Sequence, residues 1–466
     1  MNPLPGPILL LVMPLLAAGV TYFVRRIALL AAFIASATAG LAAFLCLRLP
    51  LDRSAFVLGQ EVAFGRPVVI LGQTLQLHSA GQLWLAFIFA FAVLFYLLAW
   101  RVSQGRSFFP FSLAIIALYV LVILLESFSL QVLVYAISVT LAVFIVQGGQ
   151  LASVRGAQRY LVVSLLAVPL LLAAAWLVDP AGSSLQDADA LRRVLLPAAL
   201  GFGLLLGAFP FGTWMPALAA DTLPIVTAFV FTAGQAMALY LTLVFLQDNP
   251  LIMGNGITQD VIQLAGLVMA VAGGVMAAVQ RGFGRLFGYA AMSDMGVLLL
   301  ALAAAGSQSL TLVLLHLVSR GVIVTLVAAA LAILRHRATT DSFDDLEGVA
   351  RRLPLVTTGL VLGTLALAGF PLTAGFPIRW AVYRAVSGEQ EFWFFLLLAS
   401  SAGIVIGLLR GLNAMLGTRV RDDVARQPRL ASFLVLALAI LVIVLGLVPQ
   451  LFLEPVSRAA QAFALF

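Results

Sequence analysis

The chain of 466 residues has no lysine, and all 26 of its basic side chains are arginine. That removes the one strong cation able to lose its proton when desolvated, because a guanidinium stays charged at any workable pH. There is one cysteine, Cys46, inside an apolar run, which excludes a disulfide or metal framework and an iron–sulfur cluster held by cysteines. The three histidines form no pair placed for haem, and there is no glycine-rich nucleotide loop. Charged residues make up only 10% of the chain. Catalysis by side chains of its own is therefore not expected, and no cofactor or metal site is assigned to it.

Apolar residues fill the space left by those absences, at 63% of the total. A soluble chain of this length could not hide that much apolar surface, so the class is membrane. Runs long enough to cross a bilayer lie near 7–24, 27–46, 81–100, 108–125, 128–147, 159–178, 194–211, 224–246, 258–280, 286–305, 309–334, 354–370, 392–415 and 430–448. The expected fold is an all-α polytopic membrane protein of about fourteen transmembrane helices. Its apolar N-terminus, without an early basic residue or small-residue cleavage site, reads as a retained first span.

The net charge of +7 is a matter of topology rather than of nucleic-acid binding. Most arginines fall in every second loop, for example Arg25 and Arg26, Arg155 and Arg159, or Arg335 and Arg337. Arg320 lies inside a span, and the remainder, Arg379 among them, sit on the other side. The bias places both termini outside, and the expected location is a bacterial inner membrane. The one long segment between spans, 51–78, reads as a small extracytoplasmic β-hairpin. The polar stretch 335–353 reads as a cytoplasmic loop, helical from Phe343 to Arg352.

Two spans are interrupted alike. The seventh carries Gly207-Ala208-Phe209-Pro210-Phe211 and then Pro216; the twelfth carries Ala368-Gly369-Phe370-Pro371-Leu372 and then Pro377. Proline removes a helix donor and clashes with the preceding turn. Because the spans are five apart they run in opposite directions, which is the mark of inverted repeats. Two five-helix repeats are expected, 107–250 and 251–415, after an N-terminal three-span segment (1–106) and before a C-terminal span (416–466), with helices 7 and 12 broken at Pro210 and Pro216 and at Pro371 and Pro377.

Three segments resemble the antiporter-like membrane subunits of respiratory complex I, a family shared with Mrp-type antiporters and membrane-bound hydrogenases. Gly201 to Tyr240 is similar to the block around the broken seventh helix, through Pro210, Phe211, Trp214, Pro216 and Pro224. Gln280 to Gly296 matches a second motif through Arg285, Tyr289, Ser293 and Gly296. Leu346 to Ala385 matches a third through Gly348, Arg352, Pro354, Gly369, Pro371, Gly375 and Phe376. The resemblance implies a proton path using a glutamate on the fifth span and lysines on the seventh, eighth, and eleventh or twelfth. This chain departs from it at each point, with Ile137 or Ser138, Leu205, Met237 and Val324 in those places, Gly212 for a histidine, and Arg379 for the twelfth-span lysine.

Few groups are left that could carry chemistry. Asp294 lies in the tenth span, and His316 and Arg320 share one face of the eleventh at i, i+4. Asp294 is the expected counter-ion of Arg320, either as a structural pair or as part of a relay. His316 either titrates or hydrogen-bonds another helix. Asp221 follows the broken seventh helix, placed to cap the eighth near Leu223 and Pro224 or to serve an ion path. The expected function is an antiporter-like membrane-arm subunit of a proton-translocating NADH:quinone oxidoreductase, degenerate in its own proton path. Its partners would be other membrane subunits and lipid, with NADH, flavin, iron–sulfur clusters and quinone bound by partner subunits. The alternatives are an Mrp-like cation/proton antiporter subunit, or a membrane subunit of an energy-converting hydrogenase or inorganic-carbon uptake complex.

Overall fold

The computed structural model describes residues 4–48, 51, 54–57, 60–102, 104–148, 154–181, 188–304, 309–387, 391–418, 424, 428–461 and 463. Helices α1 (Gly6–Phe23), α2 (Ala28–Arg48) and α3 (Ser79–Arg101) come first, then α4 (Phe108–Leu124), α5 (Phe128–Val146), α6 (Arg155–Ala181), α7 (Ala188–Leu206) and α8 (Trp214–Asp221). One rod is built from α9 (Pro224–Phe229), a π-helical turn at Val230–Gly234, and α10 (Gln235–Asp248). A short α11 (Pro250–Met253) leads into α12 (Gly256–Ala278), α13 (Phe283–Ala303) and α14 (Ser309–Ala338). After another short helix, α15 (Val349–Arg352), follow α16 (Pro354–Ala368), α17 (Phe376–Ser387), α18 (Glu391–Met415), α19 (Arg429–Leu447) and α20 (Gln450–Gln461).

Such a chain is helical because lipid offers no partner to a backbone N–H or C=O, and a helix satisfies both within itself. Among the described residues, twelve helical segments are long and apolar enough to cross a membrane. Two of the fourteen apolar runs fall on shorter helices, Phe108–Leu124 and Pro354–Ala368. Their 17 and 15 residues reach about 25 and 22 Å, short of a hydrocarbon core of about 30 Å. Helix α4 stops where Leu125 turns extended and bridges to Leu75, and α16 stops at the twelfth-span interruption. The α9–α10 rod, α13 and α14 are buried almost throughout and form the centre, whereas α6 and α18 present long apolar faces at the rim.

The segment between α2 and α3 forms two hairpins, not one. Strands β1 (Leu4–Pro5), β2 (Ser54–Val57) and β3 (Gln60–Ala63) make one small sheet, with β1 parallel to β3. Strands β4 (Val68–Ile70) and β5 (Gln73–Leu75) make the other. Leu71 and Gly72 connect them with φ of 52° and 76°, the two positive dihedrals that a type I′ turn requires. The expected helix from Phe343 to Arg352 is also split. A 3₁₀ turn covers Phe343–Asp345, Gly348 stands at φ 74°, and only then does α15 begin. The positive φ of Gly348 ends one helical run before the next starts.

Each span interruption turns on a glycine. Gly207 follows α7 at φ 75°, and Gly369 follows α16 at φ 74°. At the first, Gly207 N donates to Leu204 O at 3.3 Å and Ala208 N to Gly203 O at 2.7 Å. At the second, Gly369 N donates to Ala366 O at 3.1 Å and Phe370 N to Leu365 O at 2.9 Å. Both are the paired 5→2 and 6→1 bonds of a Schellman ending. Superposed on their glycines, the two Phe-Pro pairs are one residue out of step. Pro210 and Pro371 lie within the interruptions. Pro216 and Pro377 do not break a helix; each sits in the first turn of α8 or α17, where a missing N–H costs nothing.

The end of α8 is bound to α14 by Arg335. Its Nη1 donates to Thr222 O at 2.8 Å and its Nη2 to Ala219 O at 2.9 Å, so a cation covers the carbonyl end of the helix. Asp341 pairs with Arg335 at 2.7 Å and accepts the Gly284 N–H at 2.7 Å. The glycine endings yield a prediction. Gly207→Ala or Gly369→Ala should each cost about 1–3 kcal/mol, because a left-handed backbone is strained once a Cβ is present. Gly19→Ala, in α1 with open space around its Cα, should cost nothing. Thermal unfolding of the purified variants in mild detergent measures both.

Candidate functional site

The bundle centre holds a cluster of ionised and polar side chains contributed by four helices. Asp294 comes from α13, His316 and Arg320 from α14, Arg379 from α17 and Gln235 from the first residue of α10. Asp294, His316, Arg320 and Arg379 are each 1% exposed. Arg320 Nη1 donates to Asp294 Oδ2 at 2.5 Å and to Ala291 O at 3.0 Å, and its Nη2 donates to Gln235 Oε1 at 2.6 Å. His316 Nε2 stands 3.3 Å from Asp294 Oδ1 and 3.2 Å from Asp294 O. Arg379 Nη2 reaches Asp294 Oδ1 at 3.7 Å.

Asp294 is thus shared by three neighbours instead of paired with one. Its 2.5 Å contact with Arg320 is short and charge-assisted, and the 3.7 Å approach of Arg379 is an ion pair without a hydrogen bond. Arg379 Nη1 finds acceptors in Tyr383 Oη at 3.2 Å and Ser401 Oγ at 3.1 Å; those two hydroxyls lie 2.9 Å apart. Two guanidiniums against one carboxylate leave the cluster one formal positive charge when His316 is neutral. Several of its polar atoms are buried without a hydrogen-bond partner: Arg379 Nε and Nη2, Arg320 Nε and His316 Nδ1.

Local sequence explains how the groups meet. His316 and Arg320 are one turn apart on α14, so both project to the same neighbour. Arg379 is not on the outer side with the loop arginines. The ending at Gly369 lets the chain turn back, and the stem of Arg379 packs onto Gly369, where a Cβ would collide with it. Gln235 follows the π-helical turn, a device that inserts one extra residue into a helix and re-aims what comes next. That turn brings Gln235 to Arg320, while Met237, at the lysine position of the resemblance, stays in apolar packing.

Sequence reasoning overlooked Gln235, Tyr383 and Ser401. A signal existed for Gln235, the one amide between Ile225 and Leu246, in a span otherwise apolar or hydroxylated. Asp221 is not part of the cluster. Its Oδ2 accepts the Gly156 N–H at 3.1 Å and so caps the start of α6, whereas the α9 N-terminus has no side-chain cap. Where the resemblance implies a glutamate, α5 has Ile137 or Ser138, with Tyr135 one turn before. Tyr135 stacks against Tyr119 with centroids 6.4 Å apart, Ser138 donates to Tyr135 O at 2.6 Å, and Ile137 faces outward. Among the described residues no group of three or more His, Cys, Asp or Glu side chains is arranged to hold a metal ion.

The shared carboxylate makes an asymmetric prediction. Asp294→Asn strands two guanidiniums and should cost about 3–5 kcal/mol, the usual result of removing one partner of a buried pair. Arg320→Gln should cost less, because Arg379 and His316 still face the carboxylate. Unfolding temperatures of both variants in mild detergent decide it; equal losses would contradict a shared carboxylate.

The profile of the family described as "NADH:quinone oxidoreductase/Mrp antiporter, TM" matches residues 118–407, more than half of the chain. Subunit N of the NADH-quinone oxidoreductase of Ectopseudomonas mendocina (strain ymp) is 30% identical over 277 residues, which cover 56% of this chain and 54% of that protein. The chain therefore spans about half the length of that relative. A chain of the Mrp complex from Dietzia sp. DQ12-45-1b superposes with a TM-score of 0.83 at 18% identity, covering 98% of this chain and 97% of that one. A chain of respiratory complex I from Thermus thermophilus with bound NADH gives 0.81 at 19% identity, covering 98% and 99%. Likeness at such identities concerns the fold, and the family match goes further: the chain belongs to the NADH:quinone oxidoreductase/Mrp antiporter transmembrane family.

Proposed function

We propose that this chain is an antiporter-like membrane-arm subunit of a proton-translocating NADH:quinone oxidoreductase, and that its own proton path is interrupted. The observation that carries the second part is the filling of the relay positions. Leu205, Met237 and Val324 are buried in the apolar core, and Gly212 is buried without a titratable side chain. A relay needs groups that take and release protons, and apolar side chains of this size keep the intervening stretches dry. The ionised groups near the middle of the second half include two arginines that hold their protons throughout.

The charge of the cluster also speaks against an autonomous cation/proton antiporter. Such a transporter needs a site where proton and cation compete, and a surplus of positive charge around Asp294 repels a cation. A subunit that completes a membrane arm and binds its neighbours by packing has no such requirement. In this reading the short helices α4 and α16 join the twelve long segments to make fourteen spans. Residues 107–250 and 251–415 are two inverted repeats, supported by the matched glycine endings at Gly207 and Gly369, with 1–106 and 416–466 flanking them. Both termini lie on the extracytoplasmic side of a bacterial inner membrane, and NADH, flavin, iron–sulfur clusters and quinone belong to partner subunits.

The test replaces Asp294, His316 and Arg320 singly in the intact complex and measures protons translocated per electron pair. Complexes that assemble should keep the wild-type ratio, with losses confined to the amount assembled. A lower ratio in a variant that assembles and transfers electrons normally would show that the chain pumps, and the interrupted-path reading would fail.

A further inference from the structure

One end of the bundle contains a polar cavity of about 420 Å³ between the start of α6, the end of α8, and the turn from α12 into α13. Arg155, Arg159 and Arg285 line it, together with Thr213, Gln280 and Tyr289. One acid, Asp221, stands on the wall, its Oδ2 turned to the Gly156 N–H. Three guanidiniums against one carboxylate give the cavity a clear positive excess. Guanidiniums match phosphate oxygens in geometry as well as charge, offering two parallel donors each.

What surrounds the cavity narrows the source of that phosphate. Arg155 and Arg159 are followed on the same face of α6 by Val162 and Leu166, at successive turns. Both are more than half exposed. Across the cavity, the last turn of α12 exposes Val275 and Met276, and Val279 just after it is exposed too. From Arg159 to Leu166 the helix descends about 10 Å at 1.5 Å per residue. The surface therefore passes from guanidinium to apolar along the membrane normal, as a lipid passes from headgroup to acyl chain.

We infer that this cavity binds the phosphodiester of an anionic glycerophospholipid, its acyl chains lying on the exposed faces of α6 and α12. A free phosphate would use the arginines and leave those apolar faces without a role. The experiment takes the full chain, purified in mild detergent and stripped of lipid, and follows binding by native mass spectrometry. The probes are dioleoyl phosphatidylglycerol, dioleoyl phosphatidylcholine and inorganic phosphate. The wild type should prefer phosphatidylglycerol over phosphatidylcholine by at least about tenfold, given a contribution of about 1 kcal/mol per basic residue at a membrane surface. The variant R155Q/R159Q/R285Q should lose that preference, whereas Arg101→Gln, outside the cavity, should keep it. If the triple glutamine variant does not fold, R155K/R159K/R285K replaces it and should keep a reduced preference, having charge without the fork. Equal binding of the two lipids by the wild type, an unchanged preference in the triple variant, or displacement of phosphatidylglycerol by millimolar inorganic phosphate would each overturn the inference.

Discussion

An arginine buried at membrane depth cannot shed its charge, so the protein must bring negative charge and acceptors to it. This constraint organises the centre of the bundle. Two guanidiniums, Arg320 and Arg379, converge on one carboxylate, Asp294, and their Nη donors also draw in Ala291 O, Gln235, Tyr383 and Ser401. Every helix that meets there supplies an acceptor or a charge. With no hydrophobic driving force between helices in lipid, close packing and such polar contacts hold them in register.

The two halves use different means. In the second, α12, α13 and α18 approach closely through glycines and a serine pair, with Ser293 and Ser400 at 3.1 Å and Ser400 donating to Ala270 O at 2.6 Å. In the first, stacked and tilted aromatic rings, such as Tyr119 on Tyr135 and Tyr160 against Trp214, join the close approaches at Gly156 and Gly201. Arg335 joins the halves at one end by covering the carbonyls that α8 leaves open. The polar device at mid-membrane therefore belongs to the second half, and the first half is bound to it through Gln235 and Met215, whose amide and thioether are 3.4 Å apart.

Much of this was legible in the residues themselves. Long apolar runs announce spans because a helix satisfies its backbone in lipid within a single segment. The i, i+4 spacing of His316 and Arg320 announced a shared face, and Asp294 was the natural acid to meet it. The interruptions were legible too, though their agent was misread. Proline draws attention because it forbids a helix, yet Gly207 and Gly369 end the helices here, and Pro216 and Pro377 begin the next ones. A Schellman ending requires a residue that tolerates positive φ, and the Phe-Pro pairs beside it obscured that requirement.

Sequence by itself determined the class of the protein, the positions of its twelve long apolar helical segments and the scarcity of groups able to move a proton. These follow from composition and local spacing, which act within a few residues. Tertiary structure decided which distant groups met. It turned Arg379 inward to a carboxylate 85 residues earlier in the chain, set Gln235 against Arg320 through a π-helical turn, and gave Asp221 to the start of α6 instead of α9. The reason is physical: charge compensation inside a membrane is satisfied in three dimensions. A buried cation takes whatever carboxylate, amide or carbonyl the packed helices place within a few ångströms, and the spacing of residues along the chain does not encode that proximity.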